Sequence, residues 1–142
     1  MLPILSGVSQ SVGCFIVAQS TKRVLLGRRS AVVGDPNLWG TFGGGVDAGE
    51  SLEEALHREL HEEAGFSGQF ITLNNVWTNK RPTNHYHNFV GVLENEFLPK
   101  LNFETAVHLW FDPMLFPRPL HPGVIEALKQ PAVRRAISAA IR

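Results

Sequence analysis

The sequence predicts a layered domain in which a sheet packs against helices, of the α/β or α+β class. Three observations predict it. Residues 11–18 (SVGCFIVA) form a small, apolar and partly β-branched run with the length of a buried strand. Residues 51–64 (SLEEALHRELHEEA) carry Leu52, Ala55, Leu56 and Leu60 at helical spacing. Further strand-like segments at 69–78, 86–97 and 107–111 precede a closing helix, and a mixture of that kind packs as layers. A chain of 142 residues with 44% hydrophobic content suits one domain spanning residues 1–142.

In order along the chain, the first strand is followed by a polar turn, Gln19 to Lys22, and a second strand at 23–28 (RVLLGR), so the two read as a hairpin. Residues 30–49 are loop-like and rich in glycine, with a short strand expected from Leu38 to Phe42. Ser51 is the natural N-cap of the helix, with Glu54 three residues on as its capping-box partner. Gly65 stands where a left-handed stop is expected. The polar segment from Asn79 to Asn84 separates the next two strands. Pro113, Pro117, Pro119 and Pro122 break regular structure after the last strand; the closing helix starts near Pro122 and is punctuated by Pro131.

Thirteen basic and thirteen acidic side chains give a formal net charge of zero, which argues against general affinity for nucleic acid or an anionic membrane. The single cysteine, Cys14, lies in an apolar run and reads as a core residue, and no disulfide framework exists. No apolar run approaches the roughly 18 residues of a membrane span. The apolar N-terminus has no basic leader, so a cytoplasmic protein is expected.

The charges are balanced in number but not in place. Seven of the thirteen acids fall between Asp47 and Glu63, offset there only by Arg58. Glu59, Glu62 and Glu63 share one helix face, and like charges so placed destabilise a bare helix by a few tenths of a kcal/mol per pair. A hard divalent cation such as Mg²⁺ or Mn²⁺ would offset the repulsion. A solvated acidic face is the plainer alternative for such a helix. The glycine run Gly43-Gly44-Gly45 ahead of it favours a site, because glycine lets backbone polar groups approach a ligand. His57 and His61 lie one turn apart, but their order, H-R-E-L-H, is not that of the zinc protease motif.

The segment from Gly44 to Phe66, GGVDAGESLEEALHRELHEEAGF, resembles the signature of the Nudix hydrolases. Gly44, Glu50, Arg58, Glu59, Leu60, Glu62, Glu63, Gly65 and Phe66 fill every fixed position of that pattern. The resemblance implies an α/β/α sandwich around a mixed sheet. It also implies metal-dependent cleavage of a phosphoanhydride in a nucleoside diphosphate linked to another group. Carried over by residue, Glu59, Glu62 and Glu63 become metal ligands, and the Gly43 carbonyl a further one. Arg58 orients a neighbouring carboxylate, Glu50 braces loop and helix, and Glu59 is one candidate for the general base. A glutamate from a later loop often joins the metal or acts as base in this family. Glu104, six residues before Trp110, is the choice here, with Glu94 and Glu96 as alternatives.

Other residues divide between two roles. Arg28, Arg29, Lys80 and Arg81 suit either phosphate contact or ordinary surface charge. Trp77, Tyr86 and Phe70 suit base stacking or, more simply, core packing, and Trp39 and Trp110 read as core. Pro82, sixteen residues after Phe66, is a weak pointer to the ADP-ribose branch of the family. The expected ligand is a small nucleotide: a nucleoside triphosphate, ADP-ribose, a nucleotide sugar or a dinucleoside polyphosphate. Two rivals are a non-catalytic nucleotide sensor of the same fold, which usually loses acids that this chain keeps, and an RNA-processing role, which the neutral charge disfavours. Many relatives form homodimers, but no stretch of this sequence marks an interface.

Overall fold

The computed structural model describes residues 7–142, so the leading residues of the apolar N-terminus lie outside it. The run predicted at 11–18 is part of β1 (Ser9–Ala18), and β2 (Arg23–Arg29) pairs with it antiparallel. The short strand expected at 38–42 is instead two strands, β3 (Trp39–Gly40) and β4 (Phe42–Gly45). The chain changes partner between them: β3 pairs with β2, whereas β4 pairs with β1. Helix α1 (Leu52–Ala64) follows, then β5 (Thr72–Lys80), β6 (Asn84–Leu93) and β7 (Thr105–Phe111). Pro131 divides the closing helix into α2 (Pro122–Leu128) and α3 (Pro131–Ala140).

The strands form one mixed sheet in the order β3-β2-β1-β6-β5, with β4 also on β1 and β7 also on β2. β1 and β6 run parallel through ten residue pairs, from Ser9 opposite Asn84 to Ala18 opposite Leu93. The remaining pairings are antiparallel. Strands buried on both faces read as continuous apolar runs, and β1 does so. Its Val12, Cys14 and Ile16 join Leu56 and Leu60 of α1, while Phe15 and Val17 join Val124, Val133 and Ile137 of α2 and α3. Each fully buried Leu or Ile in these layers contributes about 2 kcal/mol of transfer free energy. The result is the expected helix–sheet–helix sandwich. Trp39 and Trp110 pack edge-on against Phe111 and Phe97 respectively, in their expected structural roles.

Helix α1 begins and ends where its sequence says. Ser51 Oγ accepts from the Glu54 N–H at 3.1 Å, and Glu54 Oε1 accepts from the Ser51 N–H at 2.8 Å. Gly65 adopts φ 64°, which lacks a Cβ penalty only for glycine, and its N–H closes on the His61 carbonyl. No helix among the described residues is long and apolar enough to cross a membrane.

Candidate active site

β4 delivers the glycine run to one side of a cavity of about 750 Å³, and α1 stands behind it. Glu59 and Glu63 line the cavity from α1, and Gly43, Gly44 and Gly45 line it from β4. The packing requires glycine at 43, where a Cβ would collide with the Val12 and Gly13 backbone; a Cβ at 44 would displace the Glu59 carboxylate. Glu63 is buried, 7% exposed, and accepts a hydrogen bond from the Gly43 N–H at 3.0 Å. Burial pushes its carboxyl up to about 8, and the neighbouring carboxylates of Glu104 and Glu59 add to the rise against the Gly43 bond. Burial also raises Glu59, opposed by Arg58.

Arg58 ties this wall together. Its Nε and Nη2 donate to the two oxygens of Glu50 at 2.7 and 2.9 Å, and Nη1 donates to Glu59 at 2.8 Å. Nη2 also donates to the Gly45 carbonyl at 2.8 Å. The forked, planar guanidinium is what allows one side chain to hold a helix, a loop and a strand. In return, the Arg58 bonds hold the Glu50 carboxyl down at about 2, aided by the Asp47 N–H. Glu50 therefore braces the loop and stays outside the set of cavity-lining residues.

Glu104 reaches the same cavity from a segment well beyond α1 in sequence, just ahead of β7. Its carbonyl accepts from the Ser30 N–H at 2.8 Å, and its N–H donates to Asn102 Oδ1 at 2.9 Å. Asn102 in turn donates to the Glu62 carbonyl at 3.2 Å, which docks the loop on α1. The alternatives lie elsewhere: Glu96 pairs with Arg23 at 2.7 Å, and neither Glu94 nor Glu96 lines the cavity. Glu62 also stands apart. Its side chain is 53% exposed, meets Arg58 at 3.4 Å and does not line the cavity.

Glu59, Glu63, Glu104 and the Gly43 backbone thus face one space, although among the described residues no three carboxyl, histidine or cysteine groups converge at ligand distances. The donor chemistry nevertheless fits a hard divalent cation. All the donors are oxygens, and Glu63 is a buried carboxyl whose negative charge is disfavoured by two more carboxylates beside it.

Of the four cations considered for phosphate contact, Arg29 and Arg81 line the cavity, while Arg28 and Lys80 do not. Arg29 is steadied by the Gly34 carbonyl at 2.7 Å. Tyr86 lies in the cavity, Phe70 packs between Phe66 and His57, and Trp77 packs in the core under α2 and α3. Cys14 is fully buried and its thiol is pushed far above its usual range, consistent with a core role.

Sequence reasoning missed the opposite wall. Ser11, Asn79, Asn84 and Asn88 line it beside Tyr86. So do His121 and Asp35, whose side chains meet at 3.1 Å. The available signal was the alternation Asn84, Tyr86, Asn88, then Val90 and Val92, a strand face that turns from polar to apolar.

A family model described as the NUDIX domain matches residues 8–130. The chain is 32% identical over 102 residues to a putative 8-oxo-dGTP diphosphatase of Bacillus subtilis, covering 72% of this chain and 66% of that protein. It is 39% identical over 100 residues to an m7GpppN-mRNA hydrolase of Xenopus laevis, covering 69% of this chain and 29% of that one. The match therefore spans just under two thirds of the first relative's length and under a third of the second's. Among solved structures, a MutT NUDIX hydrolase from Burkholderia pseudomallei superposes with a TM-score of 0.62 at 26% identity, covering 91% of this chain and 96% of that one. The fold of a Nudix hydrolase from M. smegmatis matches with a TM-score of 0.72 at 21% identity, covering 95% of this chain and 87% of that one.

Proposed function

The chain belongs to the Nudix family, and from that premise we propose that it is a pyrophosphohydrolase dependent on Mg²⁺ or Mn²⁺ that cleaves a phosphoanhydride in a small nucleoside diphosphate derivative. One observation carries the reading: Glu59, Glu63 and Glu104, drawn from two distant segments, share a cavity with a glycine wall and Arg29. A bare set of carboxylates would repel a diphosphate. The residues that would hold the ion are Glu59, Glu63, Glu104 and the Gly43 carbonyl; Glu62, expected as a further ligand, stands outside the cavity and would have to turn towards it. When bound, the ion neutralises phosphate charge and acidifies a water.

The protein's own groups divide the remaining work. Glu59 has Oε1 held by Arg58, which fixes the carboxylate, and it takes the proton of the attacking water as general base. Arg58 keeps that geometry without touching the reacting atoms. Arg29, on the cavity wall, meets the negative charge that develops on phosphate. The reading includes a cytoplasmic setting, residues 1–142 working as one unit, a nucleotide rather than a nucleic acid polymer as ligand, and a homodimer as a compatible assembly state.

The test is turnover of a panel of nucleoside triphosphates (oxidised ones included), ADP-ribose, nucleotide sugars and dinucleoside polyphosphates, with Mg²⁺ and with Mn²⁺. Turnover abolished by EDTA is the expected result. No turnover, with nucleotide binding retained, would instead support a sensor of the same fold.

A further inference from the structure

The cavity is lined by two chemically different sets of groups. Glu59, Glu63, Glu104, Arg29 and Arg81 are among its charged groups, whereas Ser11, Asn79, Asn84, Tyr86 and Asn88 form a neutral, hydrogen-bonding row on β1, β5 and β6. Strand register builds the neutral row. Ser11 of β1 and Asn79 of β5 both lie opposite Tyr86, and in the next row Gly13 and Trp77 lie opposite Asn88. Gly13 leaves the space that the Tyr86 hydroxyl occupies. Beyond Asn88, the same face continues as Val90 and Val92, packed with Phe15 in the apolar core. Asn88 is thus the innermost polar group of that wall.

Asn88 is 4% exposed, yet its carboxamide is poorly satisfied. Its one side-chain bond among the described residues runs from Nδ2 to the Tyr86 carbonyl at a long 3.4 Å. That bond directs the amide nitrogen to the strand and leaves Oδ1 with no protein donor. Asn88 lines the cavity, so its Oδ1 is open there to a donor that the protein itself does not supply.

We propose that Asn88 determines base specificity: its Oδ1 accepts a hydrogen bond from an N–H of the ligand's base, selecting nucleotides whose base carries an N–H there over those whose base has none. This rests on the hydrolase reading above for its substrate class, and adds the ligand end that is read. A carboxylate in place of Asn88 would repel a polyanionic nucleotide, and an apolar residue would not distinguish the bases. A neutral amide does neither.

The test compares kcat/KM for ATP, GTP and inosine triphosphate with that for purine riboside triphosphate, which has no base N–H. In the wild-type protein the best N–H-bearing base should exceed purine riboside by about tenfold to a hundredfold, the effect of leaving a built acceptor unpaired. Asn88→Leu should bring that ratio to within about twofold, by lowering turnover of the N–H-bearing bases more than that of purine riboside. Asn88→Ser, which retains an acceptor in less volume, stands in if the leucine variant fails to fold. The same comparison by calorimetric binding of the monophosphates in EDTA separates the two readings. N–H-dependent, Asn88-dependent binding without turnover sinks the hydrolase reading and keeps this one. Equal loss for all bases, or a preference that survives Asn88→Leu, overturns this one.

Discussion

Arg58 donates hydrogen bonds to Glu50, Glu59, Glu62 and the Gly45 carbonyl; Asn88, in the neutral row of the same cavity, donates one, at 3.4 Å. The first wall is cross-braced by charge-assisted bonds between elements. The second is a row of strand side chains set by backbone register, in which Asn84 donates neutral hydrogen bonds to the Ser9 and Ser11 hydroxyls at 2.8 and 2.9 Å. The difference matches what the proposed function asks of each wall. Groups that place charge against a reacting phosphate need fixed geometry, because small displacements are costly in rate. Groups that recognise a bound end-group need unspent hydrogen-bonding capacity.

Breaking the braced wall should have the largest effects. Glu63→Gln and Glu59→Gln should each lower kcat by about 10²-fold or more with an unchanged far-UV circular dichroism spectrum, because charge stabilisation is lost while shape is kept. Wild-type rates in both would remove the assigned site. Glu104→Gln should fall in the same class, whereas Glu96→Gln, in its ion pair with Arg23 away from the cavity, should leave turnover unchanged. Glu62→Gln should cost less than Glu63→Gln, since Glu62 stands half-exposed and does not line the cavity.

Next is Arg58→Lys. A point charge cannot bridge Glu50, Glu59 and the Gly45 carbonyl at once, so activity should fall about tenfold to a hundredfold. Thermal scanning of the same variant should show Tm lower by about 3–6 °C.

Acid sharpens the comparison further. The Glu50 carboxyl is held near 2 in the folded protein, below its unfolded value of about 4.3. A depressed folded pKa gives stability that is fully present above the unfolded value and lost as pH falls towards the folded one. Glu50→Gln should therefore melt below the wild type at pH 6, and the gap should narrow between about pH 5 and pH 2. A gap constant across that range would show that the Glu50–Arg58 pair is not what titrates.

The smallest effects belong to the neutral wall. Asn79→Ala and Asn84→Ala should raise KM about twofold to fivefold with kcat retained, the mark of contacts equal in ground and transition states. A kcat loss comparable to that of Glu63→Gln would erase the distinction between the two walls.

The two walls also differ in how far the sequence announces them. α1 is bounded by Ser51, Glu54 and Gly65, all acting within a few residues of the helix ends, so its limits and its acidic face are readable directly. The Gly44–Phe66 signature adds roles to those same residues. Glu104 is reachable only through the family resemblance, because its position depends on the Ser30 N–H and on Asn102 meeting α1. The neutral wall depends on β1 and β6 running parallel across a separation of 75 residues. No local spacing encodes that register, and Asn88 alone looks like any polar residue in a strand. The split of the predicted 38–42 strand into β3 and β4 has the same origin, a change of hydrogen-bonding partner that leaves no mark on hydrophobic periodicity.

β1 is the shared spine of both walls. Over Ser11 to Cys14 it bonds β4 on one edge and β6 on the other. The glycine run and the Tyr86–Asn88 row are therefore two strand spacings apart, about 9.5 Å. That interval is a ruler ruled in peptide hydrogen bonds, and no side-chain replacement at either end can re-graduate it. On the proposed reading, exchanging Asn88 would alter which end-group fits, and exchanging Glu63 would alter whether the bond breaks. The span between the group that is recognised and the group that is cut is inherited from the sheet, so descendants of this sequence can change their ligand's identity more readily than its length.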